Sequence, residues 1–214
     1  MTTKQMFEFL DFLSRNDLWV FSLQDFAMYF KEYSDEELQK NIDIFLEMTM
    51  IKHVYKNLYM DPRSRNIPIY AREDLIKYLR PMKFTYISQE EILSEYGIIS
   101  QVCTMMTCMT TGESEKIVTP VGFFGFYHFD LPEDTDSFMQ EIVFDKERGA
   151  YEATPYRAWL DLKKTSTPNI WRLVDREELA EATQGRIPDV DDIDDSLFKP
   201  SEWSNLPITF YRKF

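Results

Sequence analysis

Residues Lys83 to Phe129 read KFTYISQEEILSEYGIISQVCTMMTCMTTGESEKIVTPVGFFGFYHF, and the changes of period inside them set the architecture of the second half of the chain. Ser88 stands three residues before Glu91, the spacing of a capping box, so a short helix is expected to start there. Ile92 and Leu93 supply its apolar side, and Gly97 can close it in a left-handed cap. From Val102 to Thr111 the chain is dense in Thr, Met, Cys and Val, which suit a pleated surface. Gly112-Glu113-Ser114-Glu115 reads as a turn, and Lys116 to Phe129 as a returning extended run, kinked or edged by Pro120 and Gly122. The expectation is a helix feeding an antiparallel β-hairpin.

Towards the N-terminus the pattern is helical. Lys4 to Ser14 carries apolar residues on a stripe too wide for one-sided burial. Leu18 to Phe21 is a short extended link, after which Ser22 caps the segment SLQDFAMYF. Ser34 and Glu37 form a capping box for a third helix reaching about Met48. Leu38, Ile42, Phe45 and Met48 recur at helical spacing as its buried stripe, which leaves Glu36, Lys40, Asp43 and Glu47 on the other side. Ile51 to Tyr55 and Leu58 to Met60 read as two short strands around Lys56-Asn57. Three helices followed by a small hairpin is the order of a winged helix-turn-helix. Ala71 to Arg80 is a linking helix that Pro81 ends.

Beyond the opening stretch, Leu131 to Asp136 is an acidic loop and Phe138 to Phe144 a strand candidate. Pro155 to Lys164 and Asp175 to Gln184 are helical, the first with proline in its first turn and the second closed by Gly185. DVDDIDDS at Asp189 to Ser196 is an acidic loop, and Ile208 to Tyr211 a last edge strand. The expected fold class is α+β. A winged helix-turn-helix domain over residues 1–81 is followed by a mixed α/β C-terminal domain over residues 82–214 that contains the antiparallel hairpin.

Several short motifs also stand in a familiar order. Tyr86-Ile87-Ser88, Gly97-Ile98-Ile99, Thr110-Thr111-Gly112, Thr119-Pro120-x-Gly122 and Phe126-Tyr127-His128 resemble those of AbiEi-type antitoxins. Ala153-Thr154-Pro155-Tyr156-Arg157-Ala158-Trp159-Leu160-Asp161 is similar to that family's Ala-x-Pro-Glu-Lys-Ala-Leu-x-Asp helix start, with Tyr156 in the Glu position and Arg157 in the Lys position. The resemblance spans roughly residues 8 to 163. It implies a winged helix that binds operator DNA and represses its own operon, and a C-terminal domain that counters a nucleotidyltransferase-type toxin protein.

Charge and composition bound the alternatives. The 214 residues, 44% of them hydrophobic and 15% aromatic, suffice for a folded core. No apolar run approaches the roughly 20 residues of a membrane span, and MTTKQMFEFLDFL mixes acids into its apolar residues, unlike a signal peptide. Cys103 and Cys108 lie five apart in an expected strand, on opposite faces, which disfavours a disulfide and suits a cytoplasmic setting. The net charge of −13 is uneven: residues 1–80 hold −2 and residues 81–214 hold −11. So acidic a C-terminal part repels nucleic acid and suits a basic protein partner.

No catalytic, metal or cofactor signature emerges, and the chain is expected not to be an enzyme. His53 and His128 are the only histidines, there is no nucleophile-elbow or phosphate-loop motif, and nothing selects a pair among the many carboxylates. The aspartates of the acidic loop lack the glycine and terminal glutamate of a calcium loop.

The DNA-binding candidates follow from the architecture. Gln39, Lys40 and Asp43 on the third helix would face base edges, and Lys52, His53 and Lys56 on the wing, with Arg63 and Arg65 just after it, would hold phosphates. Acids dominate the helix side that should enter the groove, close to phosphates that repel them. The alternative is therefore a winged-helix module that binds protein rather than DNA.

Overall fold

The computed structural model describes residues 1–165 and 174–185, together with the backbone of residues 208–209. The chain divides into two compact units, one built on residues 1–71 with 118–121, the other on residues 72–117 and 122–209. The division at Ala71 and Arg72 falls ahead of Pro81, so the linking helix goes with the second unit. The fold is mixed α+β.

The first unit contains α1 (Thr3–Arg15), β1 (Val20–Ser22), α2 (Leu23–Tyr29), α3 (Asp35–Glu47), β2 (Lys52–Tyr55) and β3 (Leu58–Met60). Each helix begins at a polar residue whose side chain accepts a backbone N–H that would otherwise lack a partner. Thr2, Ser22 and Ser34 do this, and in each case the third helical residue, Gln5, Asp25 or Glu37, reaches back to the cap. β1 and β2 both pair antiparallel with β3, giving the order β1-β3-β2. Phe9, buried completely, sits at the centre of the core and contacts Phe21 and Phe26 edge-on at 5.0 and 5.1 Å. Aromatic pairs in this geometry add to the stabilisation from burial itself. Leu38, Ile42 and Phe45 of α3 close the core, as the helical spacing indicated. Met48, expected on the same stripe, is instead 49% exposed at the cap position, one residue past the last helical residue Glu47.

The second unit contains α4 (Ala71–Leu79), β4 (Thr85–Ile87), α5 (Glu90–Glu95), β5 (Met105–Thr110), β6 (Glu115–Thr119), β7 (Gly122–His128), α6 (Thr135–Met139), β8 (Ile142–Asp145), β9 (Ala150–Ala153), α7 (Pro155–Thr165), α8 (Arg176–Ala182) and β10 (Ile208–Thr209). Its strands form one sheet in the order β10-β6-β7-β5-β4-β9-β8. The expected hairpin is not formed between the two extended runs across Gly112 to Glu115. β5 pairs parallel with β7 and antiparallel with β4, and β6 lies beyond β7. The tight link is Pro120-Val121, which joins the neighbours β6 and β7 in the two-residue span typical of hairpins. From Met106 to Thr110 every residue of β5 is buried. A strand covered on both faces has no apolar–polar alternation, so its own residues do not reveal its partner.

Three further expectations are corrected. Ser88 does not cap α5: the cap position is Gln89, at φ 60° and ψ −134°, and it makes no side-chain cap bond. Phe138, assigned to a strand, lies in α6, and the strand begins only at Ile142. Cys103 precedes β5 rather than lying in it, and both cysteines are free. β4 and β9, which pair parallel with each other, were not anticipated as strands. Gly97, at φ 73°, closes α5 in the left-handed conformation that glycine adopts without a Cβ clash. The acidic loop at Asp189 to Ser196 lies outside the described residues.

Candidate nucleic-acid interface

All eight sequence-derived candidates fall in the first unit. On α3, Glu36, Lys40 and Glu47 are exposed, whereas Gln39 and Asp43 are half-buried. The Gln39 amide donates to the Asp43 carboxylate at 3.2 Å and also bonds the hydroxyl of Tyr59. Tyr59 is 3% exposed, and burial, with Asp43 beside it, raises its pKa above the ordinary tyrosine value, while the Gln39 bond opposes the rise. Two of the three candidate base-reading side chains are thus tied to one another and to β3.

The hairpin candidates are also connected. His53 stands opposite Tyr59 in the β2–β3 register, with ring centroids 5.4 Å apart and the planes steeply inclined. Its Nε2 lies 2.6 Å from the Lys56 carbonyl oxygen. A carbonyl only accepts, so that nitrogen carries the proton. Lys56 occupies the hairpin tip at φ 46°, with its ammonium 4.8 Å from the Tyr55 ring centroid. Lys52 is exposed and forms no ion pair among the described residues. Tyr59 is the residue that sequence reasoning missed, since it joins the helix candidates to the hairpin candidates. Its one signal was a tyrosine between Leu58 and Met60 in a strand whose three residues are all buried.

Arg63 and Arg65 differ. Arg63 lies 3.8 Å from Asp61, donates to the Met50 carbonyl at 3.4 Å and stacks over Phe7 at 5.6 Å. Arg65 is exposed and makes no ion pair among the described residues. Ile44 and Met48 add an apolar component to the outer surface of α3, each 49% exposed.

The two histidines have structural partners. His128 Nδ1 lies 2.8 Å from the Gly112 carbonyl oxygen and Nε2 lies 3.3 Å from Asp130. Among the described residues no group of three or more His, Cys, Asp or Glu side chains is placed to hold a metal ion.

A second constellation lies in the second unit, where Tyr86-Ile87-Ser88 meets the helix start Pro155 to Asp161. Asp161 is 1% exposed and its Oδ2 accepts hydrogen bonds from the Tyr86 hydroxyl at 2.9 Å and the Ser88 hydroxyl at 2.7 Å. Its Oδ1 accepts from Arg157 Nε at 3.0 Å and from a second guanidinium nitrogen. Burial first, and the Asp161 charge next, hold the Tyr86 hydroxyl protonated far above its usual range. Every polar atom of the carboxylate is used internally, which describes a structural clasp rather than a binding site.

No protein-family model matches the chain, and no curated protein matches it. Among the described residues no helix is long and apolar enough to cross a membrane.

Proposed function

We propose that the chain is a DNA-binding regulator of the AbiEi antitoxin type, working by binding rather than catalysis in the cytoplasm. In this reading the first unit is a winged helix-turn-helix. α2 and α3 form its two-helix element, α3 meets the major groove, and the β2–β3 hairpin is the wing that holds the backbone. The observation that carries it is the element order α1-β1-α2-α3-β2-β3 with the sheet order β1-β3-β2. The exposed Lys52 and Lys56 at the hairpin and Arg65 after it are the phosphate-holding groups. The acidic second unit would engage a nucleotidyltransferase-type toxin, whose substrate-binding groove must be basic.

The test is a gel-shift titration with the DNA upstream of the protein's own gene at stated salt. Specific binding that weakens in Lys52→Ala and Lys56→Ala is the expected result, and no binding at low salt would exclude the regulator. A second reading, a protein-binding winged helix, is favoured by Glu36, Glu47, Ile44 and Met48 together on the exposed side of α3. Acid and apolar surface suits a protein better than a phosphate backbone.

A further inference from the structure

Within the second unit a cleft of about 190 Å³ is lined by residues of α4, the segment entering β4, and the β8–β9 connection. Lys77, Arg80 and Lys83 contribute cations to it and Glu73 a carboxylate. Phe84, Phe144 and Tyr151 provide aromatic lining. Tyr151 holds the three rings together, 5.4 Å from Phe84 and 5.0 Å from Phe144. Phe144 is 47% exposed and Tyr151 39%. Partly wetted aromatic faces beside cations form a surface on which a planar, anionic ligand gains twice, by stacking and by charge.

The cations are unequally committed. Lys77 is held by Asp74 at 2.5 Å. Arg80, 8% exposed, pairs with Glu115 at 3.2 Å and lies over the Phe126 ring at 4.0 Å, yet its Nε has no hydrogen-bond partner among the described residues. Lys83 is exposed and forms no ion pair among the described residues. A buried guanidinium nitrogen without an acceptor is costly, and the Arg80 charge adds to the positive field at the cleft wall beside exposed Lys83.

From this juxtaposition we infer that the cleft binds a free mononucleotide, its base against Phe144 and Tyr151 and its phosphate at Lys83 and Arg80. An acidic peptide would use the cations but not the exposed rings. The volume lies below the roughly 300 Å³ of clefts that enclose a whole ligand of this size, so the base and phosphate would be held and the ribose left in solvent. The inference does not rest on the DNA-binding reading of the first unit.

Calorimetric titration of the full chain with AMP, GMP, CMP and UMP at low salt, beside inorganic phosphate and the parent nucleosides, tests it. At least one mononucleotide should bind saturably and more tightly than phosphate or its own nucleoside. Lys83→Ala should weaken that binding about tenfold, the worth of one charge-assisted hydrogen bond. Phe144→Ala should weaken it and narrow the differences among the four bases. Both side chains are exposed, and circular dichroism would verify that the variants fold. Absence of saturable binding overturns the assignment, as does phosphate binding as tightly as the nucleotide, or an affinity unchanged in both variants.

Discussion

The carboxylate of Asp161 accepts the hydroxyl of Tyr86 at 2.9 Å, although 75 positions separate the two residues. The bond spans β4 and α7, and Ser88 and Arg157 converge on the same carboxylate. Tyr86-Ile87-Ser88 and the segment ending at Asp161 are thus the two halves of one buried clasp. Replacing Asp161 by Ala leaves the Arg157 guanidinium largely buried without its counter-charge and two hydroxyls without an acceptor. The expected loss is about 3–5 kcal/mol of stability, the cost typical of breaking a buried pair by removing one partner. Tyr86→Phe, which keeps the charges paired, should cost only about 1–2 kcal/mol. Urea denaturation followed by circular dichroism distinguishes them, and equal losses would mean that the charges do not govern the clasp.

Glu90 offers a pH-dependent case. Its carboxyl is shifted above the ordinary value of 4.5, first by burial, with Lys116 and a backbone hydrogen bond opposing, and its Oε2 lacks a hydrogen-bond partner among the described residues. The folded state therefore holds this proton more tightly than the unfolded chain does. Its contribution to stability is fully present below 4.5 and is lost as pH rises through the folded-state value. Glu90→Gln should leave stability near pH 4 almost unchanged and raise it at pH 7. Denaturant midpoints across that range measure it, and a variant less stable at pH 7 would contradict the sign.

The acids of α3 make a prediction about DNA. If α3 lies against the duplex, Glu47→Lys replaces a repulsion by an attraction and should tighten binding. It should also steepen the salt dependence of log K by roughly one for each phosphate newly neutralised. Fluorescence anisotropy at several salt concentrations reads both quantities. An unchanged slope would place Glu47 away from the phosphates and favour the protein-binding alternative.

The cysteines should react very differently. Cys108 is completely buried and burial pushes its thiol far up, so modification should wait for unfolding. Cys103, half-buried, is pushed up to about 11, by burial first and then by Glu91 and Glu90. At pH 8 only about one thiol in a thousand is then ionised, and its reaction rate should rise about tenfold per pH unit towards 11. Labelling native protein with a disulfide reagent across that range, with mass analysis, reports both. Fast labelling of Cys103 at pH 8 would contradict its placement.

What the amino-acid order determined by itself was local. The Ser22 cap, the capping pair Ser34–Glu37, the stripe Leu38, Ile42 and Phe45, and the left-handed stop at Gly97 each depend on residues within one or two turns of chain. Such bonds form in much the same way wherever the segment lies, so their spacing suffices to identify them. Six of the eight candidate side chains were likewise assigned to their helix and hairpin, and Arg63 and Arg65 to the segment after it, but the role of Tyr59 in joining Gln39 to His53 was not visible, because three separate elements meet there.

Tertiary structure alone decided the remainder. Ser88 had the spacing of a cap, yet its hydroxyl donates to Asp161, 73 positions away, and the Glu91 N–H that it would have capped donates to the Thr107 hydroxyl of β5 instead. β5, buried on both faces, takes β7 as its parallel neighbour and leaves β6 outside. Strand partnership is settled by which apolar faces cover one another and which backbone groups are left to bond, and those quantities exist only once distant segments have met.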